Sequence, residues 1–98
     1  MDPERISDFN ISDVVISTAG RDAGKLFYVI EADELYLMLV NGKDRTIDKP
    51  KKKKRKHARK VLRSETRVAQ QIREGGKVLN SELRRDLAVI GQEMQSKP

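Results

Sequence analysis

At 98 residues this chain has room for one domain and an appendage, and roughly 60–65% of its unfolded surface can be buried. Hydrophobic and charged residues each make up 37%, and the aromatics are two Phe and two Tyr, so the core is small and a catalytic-sized pocket is hard to enclose. The absence of cysteine excludes disulfides and thiolate metal sites and fits a reducing, cytoplasmic setting.

The acidic, polar start over residues 1–10 is unlike a secretory signal, and the longest apolar stretch, residues 35–40, is far short of the roughly 20 residues that span a bilayer. The net charge of +6 is unevenly spread. Residues 1–48 carry five Lys/Arg against ten Asp/Glu, residues 49–63 carry ten Lys/Arg and no acid, and residues 64–98 carry six against five. Positive charge concentrated in one segment attracts a polyanion.

In chain order, residues 13–19 are rich in β-branched side chains without a helical period and predict a strand. Gly20-Arg21-Asp22-Ala23-Gly24-Lys25 follows as a turn with charges between two glycines. Residues 26–31 predict a second strand, residues 32–34 a polar connection and residues 35–40 a third strand. Asn41-Gly42 suits a type I′ hairpin, with a short fourth strand over residues 43–48. Four short strands joined by tight turns must curl to bury one apolar face, which points to a small SH3-like antiparallel β-barrel.

After Lys49 and Pro50 the character changes. Lys51, Lys52, Lys53, Lys54, Arg55 and Lys56 form a basic run that self-repels until something neutralises it. From there Val61, Val68 and Ile72 predict a helix stopped by Gly75-Gly76. Asn80 or Ser81 is expected to cap a second helix, with Glu82 in its first turn. Leu79, Leu83, Leu87, Ile90 and Met94 make one apolar stripe along it, free to dock on the barrel or on a partner. The expected organisation is α+β: an N-terminal arm (1–12), the barrel with its basic strand or arm (13–57), and a two-helix tail (58–98).

The segment from Val14 to Ile30 resembles a KOW motif, the strand–turn–strand of several large-subunit ribosomal proteins and transcription elongation factors. The longer string, Gly20-Arg21-Asp22-x-Gly24-Lys25, paired apolar strands, Asn41-Gly42-Lys43 and then the Lys49-Pro50 basic run to His57, is similar to bacterial short KOW-domain RNA-binding proteins. These in turn resemble archaeal and eukaryotic large-subunit ribosomal proteins. The match covers residues 13–57. It implies an SH3-like barrel that binds ribosomal RNA of the large subunit, with ribosomal proteins as possible neighbours. Gly24 matches the glycine that defines the motif.

Each candidate contact has a bland counterpart. Gly20 and Gly24 either let backbone approach a phosphate or only satisfy the turn, while Arg21 and Lys25 supply charge beside them. Lys43, Arg45 and Lys49 lie on the next turn and strand, and Lys51, Lys52, Lys53, Lys54, Arg55 and Lys56 are a polyanion arm or a solvated run. His57 either stacks on a base or ends the arm in a satisfied hydrogen bond; as the only histidine in a chain without cysteine it makes a metal site improbable. Phe27, Tyr28 and Tyr36 could stack bases, although aromatics at such positions usually fill a core. Carboxylates are scattered, Ser17 and Thr18 have no base nearby in sequence, and no phosphate-loop signature occurs, so no catalysis, cofactor, metal or small-molecule substrate is expected. The alternative to RNA binding is a protein-interaction module contacting a ribosome or transcription-machinery partner through the barrel or the tail stripe. A helix-turn-helix DNA reader built from the two tail helices is a third possibility.

Overall fold

Three successive turns fold the first half of the chain into a meander in the computed structural model, which describes residues 9–95. The strands are β1 (Asp13–Ser17), β2 (Leu26–Ala32) and β3 (Tyr36–Val40), followed by β4 (Lys51–Lys54). After one turn of 3-10 helix over Arg55–His57 comes β5 (Ala58–Arg63), then two helices, α1 (Arg67–Glu74) and α2 (Asn80–Gln95). The sheet order is β4-β3-β2-β1-β5, every pair antiparallel. The last strand returns beside the first, and β4 and β5 remain as two edges, so the sheet is not closed.

The first three strands and the glycine turn lie where the sequence places them. Three differences follow. Residues 43–48 form no strand. Instead Asn41 folds the chain back on itself, its Oδ1 accepting from the Lys43 N–H (2.9 Å) and the Arg45 N–H (3.0 Å). The lysine run is not a free arm but a strand, with Lys51 opposite Leu39, Lys52 opposite Met38, Lys53 opposite Leu37 and Lys54 opposite Tyr36. Backbone pairing with an apolar neighbour outweighs the repulsion of its side chains. Finally, Val61 belongs to β5 rather than to a helix, so residues 58–63 complete the sheet and α1 begins only at Arg67.

Strand alternation sorts the apolar residues onto two faces. Val14, Tyr28 and Val40 lie in one cluster with Val68 and Ala69 of α1 and Leu83, Leu87 and Ile90 of α2. The stripe on α2 therefore docks on its own sheet; Leu79 and Met94, at its ends, stay exposed. Each of Leu83, Leu87 and Ile90 contributes about 1.5–3 kcal/mol by leaving water. Val15, Phe27, Val29, Leu37 and Leu39 form the second cluster, fully buried, with Phe9 and Ala58 packed against it. Register shifts at Val14/Val15 and Val29/Glu31 are local irregularities of the kind that increase a sheet's twist.

Two polar devices fix the helices. The Tyr28 hydroxyl donates to Asp86 Oδ2 (2.6 Å) and lies 2.9 Å from Ser64 Oγ; Thr66 Oγ1 also donates to Asp86 (2.6 Å). Thr66 caps α1 by accepting from the Ala69 N–H, and Gly75 ends it in the left-handed region as the sequence predicts. At the start of α2, Gly42 (φ 77°) sits so close that a Cβ would collide with the Asn80 carbonyl oxygen. The Asn80 side chain does not cap the helix as expected. It accepts from the Ile47 N–H (3.0 Å), and Glu82 instead reaches back to the Leu79 N–H (2.9 Å). Arg84 donates to the Gly42 carbonyl (2.6 Å), so the loop after β3 and the start of α2 hold each other.

Candidate nucleic-acid interface

The turn between β1 and β2 is closed by its own backbone. The Gly24 N–H bonds to the Ser17 carbonyl (2.8 Å), Lys25 N–H to Asp22 (3.0 Å) and Ala23 N–H to Gly20 (3.2 Å). Gly20 (φ 83°) and Gly24 (φ 90°) occupy the left-handed region that glycine adopts without strain. A Cβ on Gly24 would meet nothing within 4 Å, so that side of the turn is open to an approaching backbone. Asp22 points inward and is 8% exposed.

Asp22 meets Lys53. Lys51 and Lys53 lie opposite the core residues Leu39 and Leu37, on the same side of the pleat, and of the four lysines in succession Lys53 is the most fully buried. Its ammonium donates to Asp22 Oδ1 (2.9 Å), Ser17 Oγ (2.9 Å) and the Ala19 carbonyl (2.8 Å), which uses all three donors. Burial would raise the Asp22 pKa, but hydrogen bonds from Lys53 and Ser17 and the charges of Lys53 and Lys51 outweigh it and hold the carboxyl below its ordinary 3.8. Lys53, a candidate contact by sequence, is thus committed to fixing the glycine turn against β4. At the end of the run, the His57 carbonyl accepts from the Thr18 N–H (2.9 Å).

What this clamp brings together is basic. Arg21 and Lys25 from the turn, Arg45 from the loop after β3 and Lys51 from the start of β4 line one shallow depression, with Asp22 and Asp44 between them. Lys25 pairs with Asp44 (2.7 Å), an exposed pair of the kind worth about 0–1 kcal/mol, which a phosphate can displace. Lys43 lies beside this depression, on the surface it shares with Lys25 and Arg84. Lys49 is exposed just before β4.

The outward lysines have a second setting. Lys52 lies over the Tyr36 ring, 4.5 Å from its centroid. Lys54, Arg55 and Lys56 line a neighbouring depression with Phe9, Leu35 and Tyr36. Phe27 and Tyr28 are fully buried and offer no stacking surface, which leaves Tyr36 as the accessible one of the three aromatics considered. Phe9 was not legible as a site residue, lying in a stretch read as an acidic arm. Arg59 was likewise missed: on β5 it is exposed and makes no ion pair among the described residues, whereas Lys60 pairs with Asp13 and Arg63 with Glu65. The uninterrupted charge block over residues 49–63 was the available signal.

Among the described residues no group of three His, Cys, Asp or Glu could hold a metal ion, and no helix is long and apolar enough to cross a membrane. Comparison with protein-family models and with curated protein sequences finds no match to this chain.

Proposed function

We propose that the chain is an SH3-like KOW-domain protein, without enzymatic activity, that binds structured RNA through its folded basic face, with ribosomal RNA of the large subunit as the target and ribosomal proteins as neighbours. One observation carries the reading: Arg21, Lys25, Arg45 and Lys51, from three separate segments, converge on one depression around a glycine turn open to a ligand backbone. The meander whose last strand returns beside its first, with that turn between β1 and β2, supports the SH3-like assignment. Cations at fixed spacing recognise phosphate positions, and so shape, more than base identity.

Sedimentation of the tagged protein from a gentle lysate tests the ribosomal part. Co-migration with the large subunit or its precursors at low salt, lost at high salt and lost in an Arg21→Gln/Arg45→Gln/Lys51→Gln variant, is the expected result. Migration only at the top of the gradient at low salt would refute it. Of the two surfaces open to the protein-interaction alternative, the tail stripe is taken up at Leu83, Leu87 and Ile90, which pack against the sheet, so that reading rests on the sheet surface. The same packing occupies the apolar face of α2 that a helix-turn-helix reader would share with its partner helix.

A further inference from the structure

The depression beside the outward lysines differs in kind from the phosphate-type cluster. Its floor and walls are apolar and aromatic, formed by Phe9, Leu35, Tyr36 and Ala58, and its rim is cationic, with Lys54, Arg55 and Lys56; Glu34 is the acid lining it. Leu35 is 67% exposed, the most exposed large apolar side chain among the described residues. Polar bonds hold the turn that presents it. Asp33 Oδ1 accepts from the Leu35 N–H (2.9 Å) and the Tyr36 N–H (2.8 Å), and the Leu35 carbonyl accepts from the Arg55 N–H (2.9 Å). Both walls are thereby fixed before any ligand arrives.

The cations here are placed on rings. Lys52 covers Tyr36, and the Arg55 guanidinium lies 5.5 Å from the Phe9 centroid. Arg55 Nε is buried with no hydrogen-bond partner among the described residues. An apolar depression lined by two aromatic side chains, rimmed by positive charge and carrying one carboxylate, complements a nucleobase attached to a phosphodiester. The base would stack in it, its phosphates would meet Lys54 and Lys56, and Glu34 would accept from a base N–H. We infer that this depression holds one unpaired, unstacked nucleotide, so that the RNA recognised is a folded one carrying a bulged or looped-out base. The inference rests on the RNA-binding reading and adds the substrate class.

The test uses the full chain and two RNA hairpins of the same stem, one fully paired and one with a single bulged 2-aminopurine. Base–aromatic stacking of the usual strength gives the bulged hairpin about a tenfold tighter Kd, with a change in 2-aminopurine fluorescence on binding. Leu35→Ser and Phe9→Ala, which alter the depression and leave β3 intact, should each remove most of that preference. They should leave paired-hairpin affinity within about twofold. Arg21→Gln should weaken both hairpins alike. Equal binding of the two hairpins by the wild-type chain, with silent 2-aminopurine, would overturn the nucleotide site while leaving RNA binding in place. Binding of neither hairpin at low salt would overturn the RNA reading itself, and a depression that instead took an aromatic peptide competing with no RNA would place a protein partner there.

Discussion

Lys53 and Lys51 stand two places apart in a run of identical residues and are expected to respond differently to the same substitution. Lys53→Gln leaves Asp22 buried without its full-charge partner, a change that costs about 3–5 kcal/mol, and urea unfolding should register it even without RNA. Lys51→Gln touches Asp22 only at 4.0 Å; it should leave stability nearly unchanged and weaken RNA binding. The acid limb of stability belongs to the same pair. Because the folded Asp22 carboxyl titrates below its ordinary 3.8, its contribution is present above that value and fades as pH falls through the lower folded pKa. Asp22→Asn should flatten this limb in a pH series of unfolding curves. Composition identifies the basic run but not this division of labour: Lys51 and Lys53 share one side of β4, and Lys53 is the one that reaches Ser17, Ala19 and Asp22 together.

At the scale of elements, the helices are held to the sheet by an apolar face and one polar knot. Tyr28→Phe keeps the ring in the core but strips the hydroxyl from Asp86 and Ser64, at a cost of about 1–3 kcal/mol, read as a lower urea midpoint. Burial first, then the hydrogen bond to Asp86, push the Tyr28 hydroxyl up to about 12. Its contribution is therefore complete below the ordinary 10.0 and is lost between there and about 12; the Phe variant should lack that alkaline loss. Gly42→Ala meets both a positive φ and the Asn80 carbonyl, and should destabilise by at least about 2 kcal/mol while loosening the Arg45 side of the basic depression. Strands β1, β2 and β3 and the glycine stop of α1 were legible because local residue types decide them. Strand β5 was not. Its residues, Ala58–Arg63, show no clear alternation, and only the free edge of β1 makes them a strand. The basic run reads equally as strand or arm for the same reason: a tract of lysines has no apolar pattern, and the pairing that makes it β4 is a tertiary fact.

For the molecule as a whole, sheet and tail share one apolar core. Val14, Tyr28 and Val40 are fully buried beneath α1 and α2, so a chain ending at residue 63 would expose them and should bind a hydrophobic dye or aggregate rather than fold. The charge asymmetry seen along the sequence becomes a surface only when the glycine turn, the loop after β3 and β4 are clamped together. The sequence named Arg21, Lys25, Arg45 and Lys51 separately; their meeting depends on the inward Lys53 and on Gly42 packed under α2. Equilibrium binding of large-subunit ribosomal RNA fragments, measured across a salt series for the wild type and for the Arg21→Gln/Arg45→Gln/Lys51→Gln variant, tests this most directly. With about four phosphates contacted, log affinity should fall with log salt at a slope of about −3, and the variant should bind weakly with a slope near −1 while unfolding like the wild type. An unchanged slope and affinity in a folded variant would contradict an RNA interface on this face.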